Sequence, residues 1–375
     1  MQHVIRGRGS LNADHIAQLC AALRMHRPML VCSERMQADF AARTGLQLPL
    51  FSGYHPNPDL ADASAGADVF RANGCDGLIS VGGGSAMDTA KAVKALLLTG
   101  EMEAVRKNAL PQEAALPHIA IPGTAGTGAE ATPIAVVYEN NEKLSLDHPA
   151  LLPEAIILDG SLLDTLPVYH RKACAMDALC QGIESFWAAK ATAESRIHAK
   201  WAILGVLRHL SAYLAGEAEA ADAMLEAAYE SGCAIRISRT TAAHAMSYQI
   251  TKRLGYAHGH ACMLTLPHLW QHLWEEKAAE PTLVALAEIL GLNDGGASGG
   301  QLLQGLLAAT DMLPAEMPDE ETLDALAVSV NVQRLGNHPE QLNQAALRAI
   351  YLQAFTPVTE ENRARLAALW RQYAG

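Results

Sequence analysis

Five side chains have types and spacings that suit a metal site. Asp177 and Gln181 stand four residues apart in the helical segment AMDALCQGIE, so they share one helix face. His244, His258 and His260 follow within one short later segment. One helical histidine is more often a core residue than a ligand, but imidazoles grouped near an aspartate suit iron or zinc. The pattern predicts a mononuclear site containing Asp177. It leaves open whether Gln181 is an unusual ligand, the remnant of one, or part of a face without chemistry.

Two loops rich in glycine suit the binding of a phosphate-containing cofactor. In SVGGGSAMDTAK (80–91) an apolar strand ends in three glycines and a helix follows. Glycines let the backbone approach an anion, and the helix N-terminus offers it unpaired N–H groups. The alternative is a tight strand-to-helix turn without a ligand. In IPGTAGTGAEAT (121–132), Thr124 and Thr127 could hydrogen-bond the same cofactor. The predicted phosphate contacts are Gly82, Gly83, Gly84 and Ser85.

The predicted secondary structure around these motifs changes near residue 166. Before it, amphipathic helical patterns alternate with short apolar runs, which indicates an α/β domain with a parallel sheet. After it, every long segment has helical periodicity. We therefore expect a dinucleotide-binding α/β domain at 1–165, an all-helical domain at 166–375, and a ligand cleft between them. The predicted strands are 28–33, 77–83, 118–123, 134–139 and 155–160, and the predicted helices of the first domain are 13–25, 58–73 and 85–99.

Composition excludes several classes of partner. The 375 residues carry a formal net charge of −12, which argues against nucleic acid and anionic membranes. The first residues lack an apolar segment typical of a signal peptide, and no apolar run reaches the roughly 18 residues of a membrane span. The seven cysteines form no CxxC pair and are typical of reduced thiols. We expect a cytoplasmic protein.

Four motifs together resemble one enzyme family. GGGSAMDTAK, IPGTAGTGAEAT, AMDALCQGIES and HAMSYQITKRLGYAHGHA are similar, in order and spacing, to stretches of the iron-containing (group III) alcohol dehydrogenases. The resemblance implies the dehydroquinate synthase-like fold, NADPH or NADH as cofactor, and a homodimer. It also implies one divalent metal, Fe²⁺ or Zn²⁺, and adds Asp88 and Lys143 as cofactor contacts. The family's four ligand positions correspond to Asp177, Gln181, His244 and His258. Three of these match the family pattern, and Gln181 stands where the family has histidine.

Cofactor preference can be inferred from the end of the predicted strand 28–33. The family often has an aspartate there that holds the adenosine ribose, and this chain has Ser33 with Arg35 two residues later. Loss of a carboxylate and gain of a guanidinium favour NADPH. The alternative is that Arg35 is a solvated surface residue.

The particular residues within the motifs predict a narrower class of substrate. QGIESFW, ISRTTAAHAMSY and HGHACMLTLP resemble the branch of phosphonoacetaldehyde reductases, which implies reduction of phosphonoacetaldehyde to 2-hydroxyethylphosphonate. Arg236 and Arg239 would bind the anionic end of this small aldehyde. Tyr248 or His260 would transfer the proton, and His260 is favoured because imidazole titrates near neutrality. The alternatives are another aldehyde (sulfoacetaldehyde, lactaldehyde or an alkyl aldehyde), or a non-catalytic cofactor-binding protein whose metal site Gln181 disables.

Overall fold

The computed structural model describes residues 2–112, 116–140, 142–331 and 335–374. It contains two compact units. The first comprises Met1–Leu166 with Ala215–Gly232, and the second Pro167–Leu214 with Cys233–Gly375. The sequence prediction differs in assigning residues 215–232 to the helical domain. None of the helices in the described part of the chain has the length and apolar character that a membrane crossing requires.

The first unit is built on a six-stranded parallel sheet in the order β1-β8-β5-β4-β2-β3. Its four inner strands are buried throughout, which explains their mostly apolar sequences. All four were predicted from the sequence, whereas the edge strands β1 and β3 were not. The strand predicted at 134–139 pairs with β7 in an antiparallel hairpin. The strands are β1 His3–Arg6, β2 Pro28–Val31, β3 Leu50–Phe51, β4 Gly77–Gly82, β5 His118–Pro122, β6 Ile134–Glu139, β7 Glu142–Asp147 and β8 Ala155–Leu158.

Helices cover both faces of this sheet. Successive residues of a strand point to opposite faces, so Met29 and Val31 pack in one apolar cluster and Leu30 packs in another. Asn12, Ser33 and Asp59 cap the N-termini of the first three helices. The helices of this part are α1 Ala13–Leu23, α2 Glu34–Thr44, α3 Leu60–Ala72, α4 Gly84–Thr99 and α5 Met102–Arg106.

The described residues after 166 form helices and no strand, as predicted. The helices are α6 Val168–Trp187, α7 Ala193–Ala215, α8 Ala218–Ser238, α9 Ala242–Leu254, α10 His258–Glu275, α11 Glu280–Ile289, α12 Gly299–Ala309, α13 Glu320–Val328, α14 Gln344–Phe355 and α15 Glu360–Ala374. A parallel sheet followed by a helical region confirms the predicted fold class.

Close packing of α10 on α6 brings the predicted ligands together. A Cβ added at Gly259 would lie 2.5 Å from the Cβ of Asp177, so only glycine allows this approach. Gly255 ends α9 in the left-handed conformation with φ of 76°, and α10 begins soon afterwards at His258. Three helices therefore present side chains to one small volume.

Candidate functional site

Four donor atoms converge in the helical unit. α6 supplies Asp177, α9 supplies His244, and α10 supplies His258 and Cys262. Their ligand atoms all lie within 4.8 Å of one another. The Oδ1 atom of Asp177 lies 3.3 Å from His244 Nε2 and 4.0 Å from His258 Nε2. The sequence analysis missed Cys262, although its position four residues after His258 places both on one helix face.

Gln181 lies beside this cluster, buried one turn after Asp177. Burial by itself raises the pKa of Asp177, but His244 and His258, together with a hydrogen bond from the side chain of Gln181, hold it below its ordinary value. An amide can bond an ionised carboxylate only by donating its N–H. In this structure Gln181 therefore supports Asp177 through its nitrogen.

The hydrogen bonds behind the two histidines fix which ring nitrogen faces the cluster. His244 Nδ1 contacts the carboxylate of Glu184. Ser247 Oγ donates to the carbonyl of His244, so its oxygen is left to accept from His258 Nδ1, 3.3 Å away. Both imidazoles thus keep hydrogen on Nδ1 and turn Nε2 towards the cluster, the arrangement that metal-binding histidines use.

Two buried atoms of the cluster have no hydrogen-bond partner. They are Asp177 Oδ1 and His244 Nε2, on residues only 3% and 4% exposed. Burial of polar atoms without a partner costs free energy, and a bound cation would satisfy both. Carboxylate, imidazole and thiolate donors suit zinc and iron. The residues present therefore fit the divalent metal predicted from the sequence.

The electrostatics of the cluster also favour a cation. Burial by itself lowers the pKa of His244, but Cys262 and Glu184 beside it raise that pKa well above its ordinary range. Burial by itself raises the pKa of Cys262, whereas His244 and His258 bring it down to about 7. The acidic groups thus draw positive charge into the cluster, and a divalent ion can replace the protons there.

The two glycine-rich loops meet in the first unit. Gly82 ends β4 with φ of 143°, a conformation that side chains rarely adopt. A Cβ added at Gly83 would lie 3.3 Å from Thr124 Cγ2, and one at Gly84 would lie 3.3 Å from Thr127 Cγ2. The predicted phosphate loop and both predicted threonines therefore lie side by side at the N-terminus of α4.

Asp88 and Ser85, two of the residues predicted to contact the cofactor, both lie near the start of α4. Asp88 on α4 accepts a hydrogen bond from Val136 N at 3.1 Å. Burial raises the pKa of Asp88 to about 6, against the opposing effects of Lys91, the Val136 hydrogen bond and Lys143. Ser85 Oγ accepts a bond from Asn57 N.

Ser33 has a structural role in addition to its predicted one. It caps α2 by accepting a hydrogen bond from Met36 N. Arg35, the candidate partner of a 2′-phosphate, is exposed and donates to Thr165 Oγ1 at 2.6 Å. Ser33 follows β2 closely and Arg35 lies in the first turn of α2, the region where a dinucleotide-binding sheet holds the adenosine ribose.

Two family models match nearly the whole chain. Residues 2–160 match the model of the iron-containing alcohol dehydrogenases, and residues 172–355 match the model of that family's C-terminal domain. The chain belongs to the iron-containing alcohol dehydrogenase family. This membership confirms the enzyme class predicted from the sequence, an NAD(P)-dependent alcohol dehydrogenase or aldehyde reductase.

Relatives of this iron-containing alcohol dehydrogenase act on several small substrates. The chain is 34% identical to the phosphonoacetaldehyde reductase of Streptomyces viridochromogenes over 78% of its own length and 80% of the relative. It is 31% identical to the lactaldehyde reductase of Escherichia coli K12 over 61% of each chain. Among solved structures, the sulfoacetaldehyde reductase of Bifidobacterium kashiwanohense, in complex with NAD⁺, superposes with a TM-score of 0.86. That pair is 26% identical, over 95% of this chain and 98% of the other.

His260, predicted to act as a proton relay, has a partner at each ring nitrogen in this dehydrogenase. His260 Nε2 donates to the carbonyl of Met312 at 2.7 Å, and His260 Nδ1 lies 3.2 Å from the hydroxyl of Tyr169. Because His260 follows His258 by two residues, its side chain leaves α10 in a direction rotated by about 200° from that of His258. Burial also lowers the pKa of His260. These contacts hold the ring of His260 in place, and its role as a proton relay stays a prediction.

Tyr248 does lie beside the metal cluster of the dehydrogenase. Its ring stacks on His258 with centroids 5.8 Å apart and planes at 10°. Of the two residues predicted to transfer a proton, only Tyr248 is in contact with a predicted ligand.

The arginines predicted to bind substrate occupy the C-terminal end of α8. Arg239 has φ of 64°, and its Nη1 donates to the carbonyls of Arg236 and Ile235. Arg239 thus caps the helix, a role that the sequence analysis did not foresee. Arg236 is half-buried in the last turn of the same helix.

Proposed function

We propose that this iron-containing alcohol dehydrogenase reduces phosphonoacetaldehyde to 2-hydroxyethylphosphonate with NADPH or NADH. The observation that carries the reductase proposal is the buried cluster whose Asp177 and His244 atoms lack partners. The phosphonate substrate is supported by the 34% identity to a phosphonoacetaldehyde reductase over 78% of the chain.

The helical unit would hold the metal. Asp177, His244 and His258 are the proposed ligands of Fe²⁺ or Zn²⁺. A divalent ion bound there supplies Lewis acidity that polarises a carbonyl oxygen. Tyr248, stacked on His258, forms a wall beside the ligands, and Tyr248 and His260 are the candidates for proton transfer. The burial of Asp177 and His244 limits access of water to the cluster.

The first unit would bind the cofactor. The N–H groups that begin α4 would face the pyrophosphate, and the glycines before them keep side chains out of its path. Ser33 places no carboxylate at the ribose, which supports use of NADPH. The other proposed contacts are Gly82, Gly83, Gly84, Ser85, Asp88, Thr124, Thr127 and Lys143.

The test combines metal analysis with a panel of aldehydes. Purified protein is analysed for bound metal, and NADPH and NADH oxidation is followed with phosphonoacetaldehyde, sulfoacetaldehyde, lactaldehyde and propanal. We expect one divalent ion per chain and a kcat/KM for phosphonoacetaldehyde at least tenfold above that for propanal. Equal kcat/KM values for propanal and phosphonoacetaldehyde would refute phosphonoacetaldehyde as the substrate. A higher kcat/KM for sulfoacetaldehyde would identify the substrate as a sulfonate. Metal binding without reduction of any aldehyde would favour a non-catalytic protein.

Variants of the arginines test how the anion is recognised. Because Arg236 is the proposed contact of the phosphonate, Arg236→Ala should lower kcat/KM for phosphonoacetaldehyde tenfold or more beyond its effect on propanal. Arg239→Ala removes a helix cap and should affect both substrates equally. Arg253→Ala is a matched control, since this exposed arginine of α9 bonds Gln249. Equal losses on both aldehydes in Arg236→Ala would show that Arg236 supports the fold only.

We also propose a cytoplasmic homodimer. The seven cysteines are all free, which is consistent with a reducing compartment. Light scattering of the purified protein would test the dimer, and fractionation of the source cells would test the compartment.

A further inference from the structure

Gln181, the residue in the family's second ligand position, is hydrogen-bonded to Asp177. The N–H of Gln181 donates to Asp177. The other protein donors of the family pattern are Asp177, His244 and His258, so a metal bound by these three can take a further donor.

Cys262 lies where the fourth donor would be. Its Sγ is 3.9 Å from His258 Nε2 and within 4.8 Å of every other ligand atom of the cluster. Ligands bound to zinc at about 2.0–2.3 Å in a tetrahedron are roughly 3.3–3.8 Å apart. The observed separations of 3.3, 3.9 and 4.0 Å need only small side-chain movements to reach that arrangement.

The backbone holds the thiol in this position. Cys262 is fully buried on the first turns of α10. Gly259, which faces Asp177 on α6, keeps that end of the helix close to the other ligands. A cation bound by Cys262 in this cluster would also satisfy Asp177 Oδ1 and His244 Nε2, which have no hydrogen-bond partner.

We propose that Cys262 is the fourth protein ligand of the metal, giving a site of Asp177, His244, His258 and Cys262. The thiol loses its proton when the ion binds, and Gln181 supports Asp177 from outside the ligand set. One thiolate makes the site softer than a set of three histidines and an aspartate, which favours zinc and cobalt over magnesium and manganese. This inference rests on the metal site of the proposed function and refines its ligand set.

Cobalt substitution tests the sulfur ligand without any measurement of activity. Protein stripped of metal is loaded with Co²⁺, and bound cobalt is quantified. A thiolate ligand gives an intense sulfur-to-cobalt charge-transfer absorption in the near ultraviolet. We expect this band in the wild type, in Gln181→Ala and in Cys32→Ser, a control with an equally buried thiol in the first unit. We expect Cys262→Ser to lose the band while still binding cobalt.

X-ray absorption of the zinc-loaded wild type provides a second test that needs no variant. One sulfur at about 2.3 Å, together with nitrogen and oxygen at about 2.0–2.1 Å, is the expected shell. A shell of nitrogen and oxygen alone, or a charge-transfer band that persists in Cys262→Ser, overturns the proposal. If the wild type binds neither metal, the proposed function fails as well. If it binds metal without sulfur, only the assignment of Cys262 fails.

Discussion

Glu184 should control metal affinity although it is not itself a ligand. One oxygen, Oε1, accepts from Thr241 N at 3.1 Å, Thr241 Oγ1 at 2.6 Å and Ala243 N at 2.8 Å. The other, Oε2, takes the Nδ1–H of His244. This carboxylate thus orients the start of α9 and fixes the ring nitrogen that His244 presents to the cluster.

The change Glu184→Gln preserves size and removes the charge. If the amide oxygen keeps its bonds to α9, the amide N–H groups face His244 Nδ1. His244 must then keep its Nδ1–H against another donor, or move the proton to Nε2 and lose the lone pair directed at the metal. Loss of one hydrogen bond to a charged group costs about 1.5–3 kcal/mol. We therefore expect metal affinity to fall by about 10–100-fold, the usual effect of removing such a partner.

The assay is competition for Zn²⁺ between the apoprotein and a chromophoric chelator. Glu288→Gln, an exposed residue of α11, is the matched control and should bind zinc like the wild type. Circular dichroism of both apoproteins checks that they fold. Zinc affinity of folded Glu184→Gln within twofold of the wild type would refute the reasoning.

Three other predictions concern the first unit. Burial raises the pKa of Glu130 to about 7 from 4.5, with its own N–H and Lys91 opposing. The folded state therefore binds the proton more tightly, and about 3 kcal/mol of stability is lost as pH rises from 4.5 to 7. Glu130→Gln should remove this loss. The difference in denaturation midpoint between Glu130→Gln and the wild type should therefore shift in favour of the variant from pH 5 to pH 8. If this difference does not change with pH, the raised pKa of Glu130 is wrong. Ser33→Asp should shift the NADPH-to-NADH ratio of kcat/KM towards NADH by about tenfold, as one charge-assisted contact of 1–2 kcal/mol implies. A wild type that strongly prefers NADH would contradict the argument from Ser33. Gly84→Ala places a methyl group 3.3 Å from Thr127. It should raise the dissociation constant of NADPH about tenfold without changing zinc affinity, and unaltered NADPH binding would argue against a phosphate at this loop.

Local sequence determined most of the secondary structure. The four inner strands are buried on both faces, so each is an apolar run that can be recognised without its neighbours. The edge strands β1 and β3 were missed, because β3 has only two residues and β1 carries polar residues at both ends. The phosphate loop was also readable, since a strand, three glycines and a helix are contiguous in the chain.

Only the tertiary structure decided the chemistry around the predicted ligands. Helical spacing shows that His258 and Cys262 share a face, but not that this face meets α6. The partner of His260 is the carbonyl of Met312, distant in sequence, so no local pattern could show that its ring nitrogens are occupied. Glu184 lay in the quoted motif AMDALCQGIES, yet its function depends on the start of α9, which packing brings to it. The sequence by itself determined which residue types were available, and the packing of α6, α9 and α10 decided which of their atoms face the same volume.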